Sequence, residues 1–455
     1  MKIPVSPPDF DGLLRSIMES EADVIFQFMQ NSSPVDSKGR YLHWDKLRHL
    51  PVENKNLKNS EQWWFCIKTA RRNMYKSLPL LNKYKVPFQY TVPDQVLREL
   101  HWLDRYAAGN IQSSDAITNL QTRNTYLIRS LIEEAINSSQ LEGASTTRDV
   151  AKEMIRQDRD PKDKSEQMIL NNYQAMQFIR DMKDEDLTPS VIFELHHILT
   201  RKTLDENEAG RFRTAADDIH VVDRATQKFL HTPPEAGELE ERLQVLCDFA
   251  NKEVSNETDE AFLHPVLRSI ILHFMLAYDH PFCDGNGRTA RALFYWAMAK
   301  QGYWLMEFVS ISRVIKKAPV QYGKAFLYTE TDDNDLTYFL IHQLEVIHQA
   351  VDDLHVFLDE KMTGVNEAER LLIDNPRLSG KLNFRQLALL RHALKHPRFS
   401  YVVQEHQRSH GISYDVARKD LLDMADKLKL LVKTKQGKRY YFVVPNDLEQ
   451  RIAVR

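Results

Sequence analysis

The sequence has little cysteine, little glycine and no long apolar run, and each shortage removes a class of protein. Its three cysteines, Cys66, Cys247 and Cys283, are odd in number and far apart. That argues against a disulfide framework and a zinc site, and favours a reducing cytoplasm. No apolar stretch reaches the roughly 18 residues that a bilayer-spanning helix needs. The opening MKIPVSPPDF also lacks the basic-then-apolar layout of a secretory signal. A cytoplasmic protein with no membrane partner is the expectation. Nor does one sign of charge dominate: 61 Lys plus Arg face 64 Asp plus Glu, a net charge of −3. Any attraction for nucleic acid must therefore come from a local patch. Only 14 glycines among 455 residues, with Leu, Lys, Glu and Ala abundant, tilt the fold toward helix. What is present is apolar material, 42% of residues, enough for two or three cores rather than one.

Three regions follow. Residues 1–93 read as mainly helical, beginning with the amphipathic FDGLLRSIMESEADVIFQFMQ and the turn-rich NSSPVDSKGR. Within them, 63–93 contain no acid but include Lys68, Arg71, Arg72, Lys76, Lys83 and Lys85. A solvated basic helix face is expected there, with contact to nucleic acid or an acidic partner as the alternative. Pro87 and Pro93 bound an extended connector. Residues 94–370 carry nearly continuous helical periodicity. One interruption, DDIHVVDRATQKFLHTPPE, places Ile219, Val221 and Val222 before a polar turn and Phe229 and Leu230 after it, and predicts a short hairpin. Two strands alone are marginal in water, so this hairpin needs a reason. Residues 371–455 give a helix in NFRQLALLRHALK and a second, capped by Ser413, in ISYDVARKDLLDMADKLKLL. A hairpin turning at Gln436-Gly437 then completes the order of a winged helix. The fold class is mainly α, with this α+β module at the end.

The densest chemistry is HPFCDGNGRTAR, residues 280–291, between the apolar helix 263–279 and a helix beginning near RTARALFYWAMAK. That puts Asp284, Gly285, Asn286 and Gly287 at a helix N-terminus, where unpaired amides and the positive dipole end bind phosphate. The glycines let the backbone approach an anion, and Asn286 adds a side-chain donor. Arg288 and Arg291, three apart, share a helix face and can grip further phosphate oxygens, which implies a polyphosphate. Asp284 repels phosphate but can hold a divalent metal bridging it. His280 suits general acid–base work at neutral pH. A base, a metal ligand, an anion hole and two arginines are the parts of a phosphoryl or nucleotidyl transfer site.

This stretch resembles the signature of the Fic (filamentation induced by cAMP) family, HxFx[D/E]GNxRxxR, at His280, Phe282, Asp284, Gly285, Asn286, Arg288 and Arg291. Ala290 departs from the glycine many relatives carry. The resemblance implies a Fic-type helical bundle over 94–370 with a β-hairpin flap. It also implies adenylylation, the transfer of AMP from ATP to a Tyr, Ser or Thr hydroxyl of a target protein, or of the chain itself. His280 would deprotonate the hydroxyl and Asp284 would hold Mg²⁺. Gly285, Asn286 and Gly287 would form the anion hole, and Arg288 and Arg291 would steady the β- and γ-phosphates. Gly287 also sets the chain apart from the phosphorylating Doc-type branch, which usually has lysine there. The segment at 210–235 is similar to the flap, a hairpin that pairs with a target segment by strand addition. Farther on, ISRVIKKAPVQYGKAFLYTETDDNDLTYFL is similar to the region closing over adenine. Its usual Asn-Arg and Tyr-Tyr pairs are replaced by Lys317-Ala318 and Gln321-Tyr322, so Tyr322 is the nucleotide contact it offers.

One carboxylate stands in an unfavourable place. YLIRSLIEEAINSSQLEGAST predicts an amphipathic helix over 122–143 with Gly143 as its cap, which leaves Glu142 at the negative end of the helix dipole. By helix physics alone it is an exposed glutamate or one that meets a cation. Residues 138–143 resemble the family's [S/T]xxxE[G/N] inhibitory motif, with Ser138, Glu142 and Gly143 as its fixed positions. That implies a pairing of Glu142 with Arg291 that blocks productive placement of the γ-phosphate. Other readings stay open: another nucleotide donor, removal of AMP, or DNA binding by the winged helix. Lys433, Lys435, Lys438 and Arg439 favour DNA, while Asp415, Asp420, Asp423 and Asp426 oppose it. Winged helices also mediate dimers, so a homodimer is open too.

Overall fold

The computed structural model describes residues 1–19, 32–53, 57–108, 120–223, 226–252, 262–373, 378, 380–396, 398–436 and 439–453. The initial amphipathic stretch is helical over 10–19 and then leaves the described residues. Helix α1 (Ser60–Met74) follows, then an antiparallel hairpin of β1 (Lys76–Leu81) and β2 (Pro87–Tyr90), then α2 (Asp94–Leu103). Helices α3 (Leu120–Leu141), α4 (Arg148–Gln157), α5 (Lys164–Asp181) and α6 (Pro189–Thr200) lead to the hairpin β3 (Val221–Val222) and β4 (Phe229–His231). After α7 (Leu239–Asn251) come α8 (Pro265–Asp279) and α9 (Asn286–Lys300). Then follow α10 (Ile311–Lys317), α11 (Pro319–Thr331) and α12 (Thr337–Ile373).

The pair α8 and α9 forms the centre. Pro265 at the first turn and His264 as N-cap start α8, and Val266–Met275 are buried on every face. A helix apolar all round must be covered all round: α9, α7 and α12 pack on α8, and α5 and α6 pack on α9, in one core. Helix α3 has two faces: Leu127 and Leu131 enter that core, while Ile132, Ala135 and Ile136 pack on α4 and α5. It is pinned by Glu134, which accepts from Tyr295 Oη at 2.9 Å, Ser310 Oγ at 2.8 Å and the Ser312 amide at 3.1 Å.

The basic face expected on α1 is solvated only in part: Arg72 is exposed, whereas Lys68 and Arg71 are not. Lys68 lies 2.5 Å from Asp332, and Arg71 donates to Tyr338 Oη at 2.6 Å with its guanidinium 3.6 Å from the Tyr41 ring. Both cations are buried. The acids they need sit some 260 positions away, beyond the reach of a local reading of charge. The expected connector around Pro87 is instead a hairpin whose Leu78, Leu80, Phe88 and Tyr90 join the main core. Packing is therefore continuous across the boundary at 93.

The C-terminal region has its own core, including Leu389, Leu390, Leu421 and Phe442. Its order is α13 (Phe384–Lys395), β5 (Ser400–Tyr401), α14 (Val403–His410), α15 (Tyr414–Leu422), β6 (Val432–Gln436) and β7 (Arg439–Val443), with sheet order β5-β7-β6. Helix α14 and strand β5 were not expected. Helix α14 buries Val403, His406 and His410, so histidines stand where an apolar stripe would have announced it. Asp420 is not a surface acid: Arg385 (2.6 Å) and Asn383 (2.7 Å) hold it in the interior. Gly437 and Lys438 lie outside the described residues. Among the described residues, no helix is long and apolar enough to cross a membrane.

Candidate active site

The loop 280–285 joins the two central helices and is fixed from below. His280 ends α8 in the left-handed region (φ 46°), and Gly285 starts α9 at φ 85°. A Cβ on Gly285 would lie 3.0 Å from Thr200 Cγ2 and 3.4 Å from the His196 ring, so both conformation and space call for glycine. Phe282 is fully buried and stacks on His196 with ring centroids 3.8 Å apart. His196 Nε2 reaches the Asp284 carbonyl at 2.8 Å.

Asn286 departs from its expected role. Its side chain accepts from the Phe282 amide (2.9 Å) and donates to the Phe282 carbonyl (2.8 Å), closing the loop on itself. The side-chain oxygen and one N–H of the amide are thus used within the loop. At the other end of the loop, Arg213 donates from Nε to the His280 carbonyl at 2.8 Å, and its own amide donates to the Pro281 carbonyl at 2.8 Å. Arg213, His196 and Glu134 escaped the sequence reading. A lone buried arginine, histidine or glutamate has no spacing signal, although Arg213 stands within the quoted flap segment.

His280 donates Nδ1–H to the Ala277 carbonyl at 3.2 Å. That bond selects the tautomer with a bare Nε2, the form a general base needs. Burial pushes its pKa down to about 4, so the ring is neutral near pH 7.

The cradle at the start of α9 is occupied by the chain itself. Helix α3 closes with Gly143 in a left-handed turn (φ 103°) and the Ala144 amide bonded to the Ser139 carbonyl, which carries Glu142 past the helix end. Its Oε1 lies 2.8 Å from Arg291 Nη2 and only 2.2 Å from where a Cβ on Gly287 would stand. Ser138 completes the arrangement, accepting from Arg291 Nε at its hydroxyl (2.9 Å) and from Nη2 at its carbonyl (3.1 Å). Burial works to lower the Arg291 pKa, but Glu142, Tyr322 and Glu134 more than offset it.

Arg288 is different. Its Nη1 donates to the Leu199 carbonyl at 2.7 Å, yet Nε and Nη2 have no hydrogen-bond partner although the residue is 1% exposed. Orphaned buried donors of this kind mark a place that an anion would satisfy. Asp284 beside it is half exposed. One oxygen accepts from the Gly285 amide at 2.7 Å and the other lies 3.7 Å from Arg288. One accessible carboxylate next to a phosphate cradle fits Mg²⁺, which uses one or two carboxylates plus phosphate oxygens. Tyr322 bonds His273 Nε2 through its hydroxyl at 2.8 Å, and burial pushes the phenol up to about 12. It is half buried at the edge of the Arg291 environment. The hairpin stands beside the loop, with His231 bridging the Tyr278 carbonyl and the Glu330 carboxylate at 2.7 Å each. Phe229 on β4 is 62% exposed.

A glycine-framed loop between two buried helices, a neutral histidine, a paired guanidinium and a flanking hairpin together make one site in a helical domain. In comparison with known proteins, residues 186–298 match the model described as Fic/DOC family. The chain is similar to "Protein adenylyltransferase Fic" of Nematostella vectensis, 30% identical over 141 residues that cover 30% of this chain and 29% of that protein. It is also similar to "Protein adenylyltransferase fic-1" of Caenorhabditis elegans, 26% identical over 228 residues covering 49% and 41%. The chain thus spans less than half the length of the curated relatives it matches. Among solved structures it is similar to a Fic family protein from Desulfovibrio desulfuricans, with 20% identity and a TM-score of 0.47, covering 78% of this chain and 97% of that one. The loop 280–291 and the hairpin fall inside the matched domain; residues 138–143 fall outside it.

Proposed function

We propose that the protein is a Mg²⁺-dependent adenylyltransferase that moves AMP from ATP to a side-chain hydroxyl of a target protein and is held inactive by Glu142. His280 Nε2 takes the proton of a Tyr, Ser or Thr hydroxyl, and the oxygen attacks the α-phosphorus in line. The bond from that phosphorus to the bridging oxygen breaks, and pyrophosphate leaves with the electron pair. Asp284 would hold the metal, which would supply positive charge to the phosphates. Backbone amides at the start of α9 and the orphaned nitrogens of Arg288 receive phosphate oxygens, and Arg291 receives the γ-phosphate once released from Glu142. Tyr322 would border the nucleotide, and the hairpin would align the target segment by strand pairing.

The observation that carries this reading is the Glu142 carboxylate inside the anion cradle, bonded to Arg291. An acid at a helix N-terminus against an arginine stands where a phosphate would bind, so one occupant excludes the other. Two labelled ATP samples test the transfer. Label at the α-phosphate should become attached to protein, and label at the γ-phosphate should not; the reverse result would indicate phosphoryl transfer. The same assay with UTP, GTP and CDP-choline decides the donor, and loss of label from pre-modified protein would reveal AMP removal.

A second reading rests on α15, which exposes Tyr414, Arg418 and Lys419. In a winged helix this is the element that meets DNA. Against it, Lys433 is engaged by Asp426 at 2.8 Å. Retardation of duplex DNA that weakens steeply with salt would support this reading, and no retardation at low salt would end it.

A further inference from the structure

The hairpin of β3 and β4 has little of its own to hold it in place. Val221 and Val222 are half-buried, Phe229 is 62% exposed, and the register between the two strands is irregular. Two short strands without a covered face do not keep a position in water. Their place must come from tethers to the rest of the fold, and each leg of the hairpin has one. On the entering leg Arg213 reaches the His280 carbonyl through Nε and the Pro281 carbonyl through its amide. On the returning leg His231 is the buried residue of β4, with its ring 4.5 Å from that of Tyr278.

The partners of the His231 ring fix its chemistry. Nε2 lies 2.7 Å from the Tyr278 carbonyl, which can only accept, so Nε2 carries a hydrogen. Nδ1 lies 2.7 Å from the Glu330 carboxylate. Two bare lone pairs do not meet at that distance, so a second proton lies between Nδ1 and the carboxylate. His231 thereby joins three elements: β4, the last turn of α8 two positions before His280, and the end of α11. Tyr278 is held from its other side as well, since its hydroxyl accepts from the Lys83 amide at 3.1 Å. Lys83 Nζ donates to the carbonyl of Thr232, next to His231, at 3.3 Å. We propose that His231 is a positioning residue for transfer: through Tyr278 and Glu330 it sets where β4 stands relative to His280, and so where a target hydroxyl meets the base. This role rests on the adenylyltransferase reading above, and His231 acts through the strand rather than on the nucleotide.

The test compares full chains carrying Glu142→Gly, alone and with a second change. Each is incubated with Mg-ATP labelled at the α-phosphate and an extract of candidate target proteins, and hydrogen exchange of the β3 and β4 amides is followed separately. His231→Ala is expected to slow labelling of protein by about tenfold or more, with KM for ATP within about twofold of the parent, and to speed exchange of the hairpin amides by a similar factor. Glu330→Ala should do the same, and it carries the test if His231→Ala fails to fold. Glu330→Gln restores the link, because its side-chain amide donates to a bare Nδ1 while Nε2 keeps its hydrogen. Labelling and exchange close to those of the parent are expected for it. Hairpin exchange unchanged in both alanine variants would overturn the proposal. So would unchanged labelling, a loss that comes only from a raised KM for ATP, or a Glu330→Gln variant as slow as Glu330→Ala. A Glu142→Gly parent that labels no protein ends the adenylyltransferase reading instead, and hydrogen exchange then still decides whether His231 places the hairpin.

Discussion

The Glu142 carboxylate lies 2.8 Å from the Arg291 guanidinium and inside the space that a Cβ on Gly287 would fill. Glycine at 287 therefore has a steric meaning beyond backbone freedom: whatever anion sits at the start of α9 lies against its Cα. Gly287→Ala should exclude the carboxylate and a phosphate alike. Placed in a Glu142→Gly background, it is expected to lower nucleotide transfer at least tenfold, measured as initial rate under saturating ATP. If Gly287→Ala alone activates the enzyme, the anion cradle has been misplaced.

Asn286 holds the loop through two bonds to the Phe282 backbone. Asn286→Ala leaves a buried amide and carbonyl unpaired, at a cost of about 1–3 kcal/mol for each unsatisfied group. A clear fall in the urea midpoint at constant slope is expected. A midpoint within error of wild type would mean that the anion, rather than Phe282, is the partner of Asn286.

Arg213 acts through His280 rather than on substrate. Its Nε bond to the His280 carbonyl fixes a residue in the strained left-handed region. Arg213→Met, made in the Glu142→Gly background, should lower kcat with little change in KM for ATP, and Arg213→Lys should recover part of the loss. A change confined to KM would place Arg213 in nucleotide binding instead.

Burial lowers the pKa of His43, His196, His280 and His342 from 6.5 to about 4 each. Between pH 6.5 and about 4 the unfolded chain binds more protons than the folded one. Stability should then fall as pH drops through that window and stop falling from this cause below it. Urea midpoints at pH 7, 6, 5 and 4 check the sign. Equal midpoints across the window would mean that these rings are hydrated in solution.

The loop at 280–291 was legible from sequence because its glycines, arginines and histidine lie within a dozen positions, and a tight turn between two apolar helices has few ways to fold. Glu142 was legible for a different reason: helix physics alone left it exposed or meeting a cation, and the resemblance of residues 138–143 to the inhibitory motif implied Arg291 as that cation. Long-range polar pairing was not legible. Lys68 and Arg71 read as a wet helix face because Asp332 and Tyr338, which bury them, are far away in the chain. Asn286 read as an anion donor because nothing local shows that its amide folds back on Phe282. Helix α14 was missed because His406 and His410 do the packing that aliphatic residues usually announce.

On the proposed function, one guanidinium, Arg291, serves either Glu142 or a nucleotide. A charge-assisted bond to a phosphate is worth about 1.5–3 kcal/mol, roughly ten- to a hundredfold. Intact-protein mass spectrometry after incubation of wild type, Glu142→Gly and Glu142→Gly/His280→Ala with Mg-ATP and with an extract of candidate target proteins tests it most directly. An AMP adduct is expected that forms about ten- to a hundredfold faster with Glu142→Gly than with wild type and vanishes when His280 is removed. Equal adduct formation by wild type and Glu142→Gly at saturating ATP, or an adduct that survives without His280, would contradict it.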